Sequence, residues 1–270
     1  TKTRDMSNPN NRMFEEFLRF VDKIAPTWFV FENVYGLTKF KNGEENIQNH
    51  IENRFRDIGY TVKSKILYAS DFGVPQRRNR LFIVGNRNGI DFEFPKEFDY
   101  SVSVDEAISD LPVLGNGEIQ MKGEYTVPFE QASPYAQLMR KKSKAPTQNI
   151  VSRNKDYVVE RYKYIGQGEN WSSIPDRLME NYADKKRCHS GIYKRLIGGK
   201  PSVVISNYRK SMLIHPHQDR GLSVREAARL QSFPDHFIFE GPVSYVQQQI
   251  GNAVPPLLAK AVMKKILTYK

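Results

Sequence analysis

A short, uninterrupted apolar run, Trp28-Phe29-Val30-Phe31, stands between two segments, residues 12–24 and 44–58, whose apolar residues recur at helical spacing. An apolar run of this length beside helices is typical of a strand buried on both faces, as in a parallel sheet. Residues 60–68 and 80–84 alternate in the manner of strands. The alternation of helix and strand therefore predicts an α/β fold.

The net charge is +11, from 41 Lys and Arg against 30 Asp and Glu. Such a balance favours a polyanionic partner, nucleic acid ahead of a membrane surface. Residues 121–200 hold sixteen basic and eight acidic residues together with seven tyrosines. Basic and aromatic side chains interleaved in this way suit contact with phosphates and bases. A solvated basic face without a specific partner explains the same composition equally well.

The sequence excludes several other classes of protein. It contains no run of about 18 apolar residues that could form a membrane-spanning helix. Its first residues lack the apolar core of a secretory signal. The one cysteine, Cys188, can form neither an intramolecular disulfide nor a cysteine-rich metal site. These features predict a cytoplasmic protein that holds no metal.

Two polar residues, Glu32 and Asn33, follow the apolar run directly. In open α/β sheets, ligands bind beyond the carboxyl ends of the strands. Partial burial there raises the pKa of a carboxyl group, so that it can share a proton with a ring nitrogen. A glutamate that only caps the next loop explains this segment slightly better when it is taken alone.

The block Pro75-Gln76-Arg77-Arg78-Asn79-Arg80 precedes the predicted strand at residues 80–84. At period two, Arg78 and Arg80 share one side of the chain, and two converging guanidinium groups suit a phosphate, a carboxylate or a base carbonyl. A surface charge run is the alternative. The density of Pro, Gln and Arg at a strand edge favours a binding role.

Two further segments carry weaker signals. Ser223 and Glu226 form a capping box at the start of a predicted helix, on which Arg225 and Arg229 share one face. When this helix is considered alone, exposure of the two arginines to solvent is the simpler explanation of their spacing. Residues 249–256, with Gly251-Asn252 before two prolines, offer backbone donors at a helix start, although Gly-Asn is also an ordinary turn.

In this order, the four segments resemble motifs of the cytosine-5 DNA methyltransferases. The resemblance implies a Rossmann-like sheet, of which this chain supplies the second half, and a small, mostly β and loop target recognition domain. It divides the chain into residues 1–110 of the catalytic domain, 111–236 of the recognition domain and 237–270 returning to the catalytic domain. It also implies methyl transfer from S-adenosylmethionine to carbon 5 of a cytosine flipped out of double-stranded DNA.

The resemblance assigns roles to particular residues. Glu32 would hold ring nitrogen 3 of the cytosine, and Arg78 and Arg80 would hold the base or a phosphate beside it. Cofactor contacts would come from Asn252, Ala253 and Val254. Other substrate contacts would come from Asn33, Gln76 and Arg225. The positive charge of residues 121–200 adds Lys185 and Lys186 as expected phosphate contacts.

Two motifs of the family are absent from this sequence. One is the glycine-rich Phe-x-Gly-x-Gly segment that cradles the cofactor, and the other is the Pro-Cys-Gln nucleophile. Cys188 lies in Arg-Cys-His-Ser, within the recognition region, and is not expected to be the nucleophile. We therefore expect activity only with an N-terminal half, whether a separate subunit or the rest of one polypeptide. A catalytically inactive DNA-binding subunit and an RNA cytosine-5 methyltransferase are the alternatives.

Overall fold

The computed structural model describes residues 13–39, 41–42, 45–180, 189–206 and 208–269. Contacts divide the chain into two compact units. Unit one comprises Thr1–Tyr68, Asn79–Glu97 and Ala261–Lys270, and unit two comprises Ala69–Arg78 and Phe98–Lys260. The functional division at residues 110 and 236 remains a prediction.

Unit one combines two helices with a three-stranded sheet. Its elements are α1 (Met13–Ile24), β1 (Trp28–Val34), β2 (Lys41–Asn42), β3 (Glu45–Asn46), α2 (Ile47–Asp57), β4 (Thr61–Tyr68) and β5 (Asn79–Asn86), with a 3₁₀ turn at Tyr35–Lys39. The sheet has the order β1-β5-β4, and β2 pairs only with β3. The predictions of α1, α2 and the three longer strands are confirmed, within a few residues at their ends.

The core of unit one lies between the helices and the sheet. Apolar side chains from α1 and α2 pack against β1, and the rings of Phe29 and Phe55 lie 4.3 Å apart between centroids. Phe29 faces Gly85 across the β1–β5 ladder. A Cβ atom at Gly85 would lie 2.1 Å from the Phe29 ring, so only glycine leaves room for that ring.

The expected parallel pairing of β1 is wrong for the residues that the structure describes, because β1 pairs antiparallel with β5 and β5 pairs antiparallel with β4. Phe29 and Phe31 are buried, while Trp28 and Val30 are only partly so. The strand buried on both faces is β5, of which seven of eight residues are buried. An apolar run records burial and carries no information about strand direction.

Unit two contains short helices joined by long connections. Its elements are α3 (Val104–Ile108), β6 (Ile119–Lys122), α4 (Pro134–Arg140), β7 (Thr147–Ile150), α5 (Asp156–Tyr162), α6 (Val224–Leu230), α7 (Val243–Asn252) and α8 (Pro256–Leu267), whose residues from Ala261 belong to unit one. Isolated 3₁₀ turns occupy Ala69–Phe72, Phe129–Gln131, Trp171–Ser173 and Asp176–Leu178. Within the described part of 111–236, the antiparallel pair β6–β7 is the one sheet, so this region holds less strand than expected.

Helix α6 is the centre of unit two. All seven of its residues are buried, and its apolar side chains pack with those of α3, α4 and α7. The predicted capping box is confirmed: the Ser223 hydroxyl accepts from the Glu226 amide at 3.1 Å, and the Glu226 carboxylate accepts from the Ser223 amide at 2.7 Å. In the described ranges, none of the helices has the length and apolar character needed to cross a bilayer.

Candidate active site

The side chains of Glu32 and Arg80 form an ion pair in unit one. Glu32 stands near the end of β1, and Arg80 stands near the start of the antiparallel β5, so the two strands bring them together. Arg80 Nε lies 2.8 Å from Glu32 Oε1, with side-chain exposures of 10% for Arg80 and 25% for Glu32. Burial lowers the pKa of Arg80, and the Glu32 carboxylate opposes that shift. The pair joins the first two sequence motifs and leaves Glu32 accessible to a ligand.

Asn33 is the next residue on β1 and is half-buried. Its Oδ1 accepts a hydrogen bond from the amide of Val34 at 2.8 Å. This bond fixes the amide group at the end of the strand. Its assignment to the base pocket remains a prediction.

Gln76 is fully buried in unit two. Its Nε2 donates to Gln231 Oε1 at 2.5 Å and to the Leu230 carbonyl at 3.2 Å, and its Oε1 accepts from the Ile205 amide at 3.2 Å. We therefore correct its expected contact with the substrate. Both ends of the amide are used inside the protein, so Gln76 supports the end of α6.

Arg78 is also buried, and its Nη2 donates to the Gly251 carbonyl at 2.8 Å. Gln231, which follows α6, donates to the Ala253 carbonyl at 2.6 Å. The motif around Gln76, helix α6 and the segment 251–254 are thus tied together by hydrogen bonds within unit two. Arg78 holds the main chain beside the predicted cofactor residues, while its own contact with substrate remains a prediction.

The sequence predicts a helix start directly after Gly251 and Asn252, and the structure differs from this prediction. Gly251 and Asn252 are the last residues of α7, which the sequence did not predict, and α8 begins at Pro256. Asn252 is exposed, whereas Ala253 and Val254 are half-buried. The segment is therefore a helix end followed by a short extended link with side chains within reach of a ligand.

Gly251 is required by close packing. A Cβ atom there would lie 1.7 Å from the Ser206 carbonyl oxygen, which belongs to the main chain and cannot rotate away. We expect Gly251→Ala to lower the free energy of unfolding by about 1–3 kcal/mol, the usual cost of overpacking. Chemical denaturation measures this change in the free energy of unfolding. Gly199→Ala, at a site with open space around the new methyl group, is the matched control and should change stability little. Equal effects of both substitutions would contradict this reason.

The expected contact of Arg225 with the substrate is corrected in the same way as that of Gln76. It has no exposed surface, and its guanidinium donates to the Thr147 carbonyl at 2.8 Å, the Thr147 hydroxyl at 3.1 Å and the Phe237 carbonyl at 3.0 Å. A fully buried group with these acceptors holds β7 and the chain after α6 in place. The alternative that the α6 arginines are solvated is also wrong.

The sequence missed a buried network of charges around α6. Arg229 forms paired hydrogen bonds of 2.7 Å to the Asp235 carboxylate, and its Nη1 lies 2.7 Å from Asp110 Oδ1. The Tyr125 hydroxyl donates to Asp235 at 2.6 Å. Burial opposes ionisation of Asp235, but the hydrogen bonds and charge of Arg229 lower its pKa overall. The spacing of arginines on α6 was visible, but Asp110 lies 119 residues before Arg229, and no local pattern shows that Asp235, six residues after it, turns back towards it.

A second buried pair lies at the start of α6. The Arg220 guanidinium makes two hydrogen bonds to Glu226, of 2.8 Å and 2.7 Å. Burial acts against the charged carboxyl group, but Arg220 prevails and lowers the pKa of Glu226 to about 2. Together the two pairs fix the helix that the sequence motif marks.

The predicted DNA contacts Lys185 and Lys186 lie outside the described residues, as does Cys188. Among the residues that are described, no group of three or more His, Cys, Asp or Glu side chains could hold a metal ion.

Comparison with known proteins identifies relatives along nearly the whole chain. A family model described as C-5 cytosine-specific DNA methylase matches residues 1–268. The Type II methyltransferase M.DdeI of Desulfomicrobium norvegicum is 34% identical, with 98% of this chain and 69% of the relative covered. The Type II methyltransferase M1.HphI of Haemophilus parahaemolyticus is 35% identical, with 96% and 62% covered.

A solved structure shares the fold. It is a prophage-encoded protein of Escherichia coli, described as a DNA modification methyltransferase, with a TM-score of 0.68 and 24% identity. The match covers 96% of this chain and 74% of that one. The chain thus spans between three fifths and three quarters of the length of these relatives.

Proposed function

The chain belongs to the C-5 cytosine-specific DNA methylase family, and on that premise we propose that it is part of a DNA cytosine-5 methyltransferase. The enzyme transfers a methyl group from S-adenosylmethionine to carbon 5 of a cytosine in double-stranded DNA. The observation that carries the proposal is the Glu32–Arg80 pair, in which a partly exposed carboxylate is held 2.8 Å from a guanidinium at the end of a strand.

The reacting carbon of cytosine is inaccessible in stacked DNA, so the base must leave the duplex. Glu32 then holds ring nitrogen 3 and shares a proton with it, which helps the ring accept a nucleophile at carbon 6. Arg80 fixes the position of the carboxylate through their ion pair. Asn33 follows on the same strand and borders the base.

S-adenosylmethionine, when bound, supplies the methyl group as an electrophile. The residues at the end of α7 fit such a ligand, because Asn252 exposes an amide while Ala253 and Val254 offer half-buried apolar surface. Arg78 and the close approach of Ser206 to Gly251 hold the preceding main chain in place. This support keeps the three residues in one geometry.

We assign recognition of the DNA sequence to residues 111–236. Most of the net positive charge of the chain falls within residues 121–200, and Lys185 and Lys186 are among the cations there. Phosphate contacts position a protein on DNA, and contacts with base edges specify the sequence. The buried arginines of α6 support this region from inside.

The catalytic thiol comes, in this proposal, from a segment or subunit that carries the Pro-Cys-Gln and Phe-x-Gly-x-Gly motifs. Three observations support this. The one cysteine of the sequence, Cys188, lies in a different motif. The relatives are longer than this chain. Among the described residues, β1 has β5 as its only partner, so one edge of an apolar strand is open for another strand.

We expect labelled methyl transfer to duplex DNA when the chain is combined with the polypeptide that supplies these two motifs, and none by the chain alone. Transfer RNA should be a poor substrate, and Cys188→Ser should leave the rate of the combined enzyme unchanged. Turnover by the chain alone, or a loss of rate on Cys188→Ser with folding intact, would show that the nucleophile is assigned wrongly.

The second candidate is a DNA-binding subunit without catalysis, and the isolated position of Cys188 favours it. The same assay distinguishes this candidate from the proposed enzyme. Salt-dependent binding of duplex DNA without methyl transfer by any combination would establish that candidate. Preferential methyl transfer to RNA would show that the substrate of the enzyme is RNA and not DNA.

A further inference from the structure

A cavity of about 220 Å³ lies in unit two, between a turn at residues 208–210 and the first turns of α7. Arg209 and Lys210 are exposed and line one side, while Ser244 and Tyr245 line the other. None of the seven described residues around it is acidic, so its lining charge is positive. The cavity therefore suits an anion.

The start of α7 adds to this positive character. The helix has ten residues, and its N-cap, Pro242, makes no side-chain hydrogen bond to the first turn. Amide groups at an uncapped helix start carry partial positive charge and bind phosphate groups readily. Ser244 and Tyr245 belong to this first turn and also line the cavity.

The inner wall contains two buried polar side chains, Tyr208 and Gln247, with exposures of 3% and 5%. Gln247 Nε2 donates to the Ser152 hydroxyl at 2.9 Å, but its Oε1 has no hydrogen-bond partner within the described part of the chain. Buried oxygens are seldom left in this state. The oxygen has almost no accessible surface where it lies, so the side chain must turn towards the cavity to bond a water carried in with a hydrated ligand. Such bridging waters are common at DNA interfaces.

We propose that this cavity binds a backbone phosphate of the duplex substrate. Arg209, Lys210 and the first turn of α7 hold the phosphate oxygens, and Tyr208 and Gln247 hold its bridging water. Burial raises the pKa of Tyr208, so its phenol stays protonated and able to donate. The contact fixes the register of the DNA without reading its sequence. This inference rests on the proposed function, since it takes duplex DNA as the ligand.

The test is a salt titration of DNA binding by the combined enzyme, for the wild type and for the double variant Arg209→Gln/Lys210→Gln. One lost phosphate contact lowers the slope of log affinity against log salt by about 0.9, which is roughly an eightfold loss near 0.1 M salt. The loss should be equal for several duplex sequences. The double variant Lys260→Gln/Lys264→Gln removes two exposed charges from α8, outside the cavity, and is the matched control.

The outcomes separate this inference from the proposed function. If the wild type binds duplex DNA and both double variants change the slope equally, the phosphate site is wrong and the function stands. A loss confined to certain sequences would make the cavity a base contact and likewise reject the phosphate. If the wild type shows no salt-dependent binding of duplex DNA, the proposed function falls and the inference falls with it.

Discussion

Glu32→Gln should slow the methyl-transfer step by about 10²–10⁴-fold, the usual contribution of a positioned acid or base. The substitution keeps the size and shape of the side chain but removes the group that shares a proton with the cytosine ring. It also removes the charge that faces Arg80 at 2.8 Å. Affinity for duplex DNA should change little, because that affinity comes mainly from phosphate contacts. Single-turnover rates and binding isotherms of the combined enzyme measure the two effects separately.

Glu97→Gln is the matched control for this substitution. Glu97 also forms an ion pair in unit one, with Lys65 at 3.0 Å, but both side chains are about half exposed. Exposed pairs of this kind contribute at most about 1 kcal/mol. The control should therefore leave both the rate and the binding unchanged. Equal losses of rate and affinity in Glu32→Gln would show that this glutamate is structural.

The sequence predicted the elements whose signal is local. Helix α1 and strands β1, β4 and β5 follow from hydrophobic periodicity, and the capping box of α6 follows from Ser223 and Glu226 alone. The ion pair between Glu32 and Arg80 joins two segments that the sequence had marked separately. Local pattern therefore identified the candidate groups, and strand pairing brought two of them together.

The parts that the sequence could not predict depend on distant contacts. The direction of β1 is set by its pairing with β5, which an apolar run does not record. The arginines of α6 look like solvated residues until Asp110 is seen beside Arg229 and Thr147 beside Arg225. Gln76 looked like a substrate contact because no local pattern shows that Gln231 and Ile205 use its amide.

The largest loss of stability is expected for Arg229→Met. Arg229 is fully buried, and its guanidinium bonds to both Asp110 and Asp235, which are themselves buried. Methionine fills a similar volume but leaves two carboxylates inside unit two without this cation. Removing one partner of a buried ion pair typically costs about 3–5 kcal/mol. Chemical denaturation should show a shift of this size, whereas Arg19→Met, at the exposed pair of Arg19 and Glu16, should cost at most about 1 kcal/mol.

A double variant separates the loss of a charge partner from the loss of packing. Asp110 keeps the buried Arg140 at 3.4 Å in Arg229→Met, so Asp235 is the carboxylate that loses its paired cation. If that stranded carboxylate causes the destabilisation, then adding Asp235→Asn to Arg229→Met should restore part of the lost stability. Asparagine removes the buried charge and still accepts the hydrogen bond that the Tyr125 hydroxyl donates to residue 235. A double variant less stable than Arg229→Met would mean that the arginine acts through its packing and its bond to the Ala107 carbonyl. In that case the network would be a steric support of α6 and its charges would be incidental to the stability of unit two.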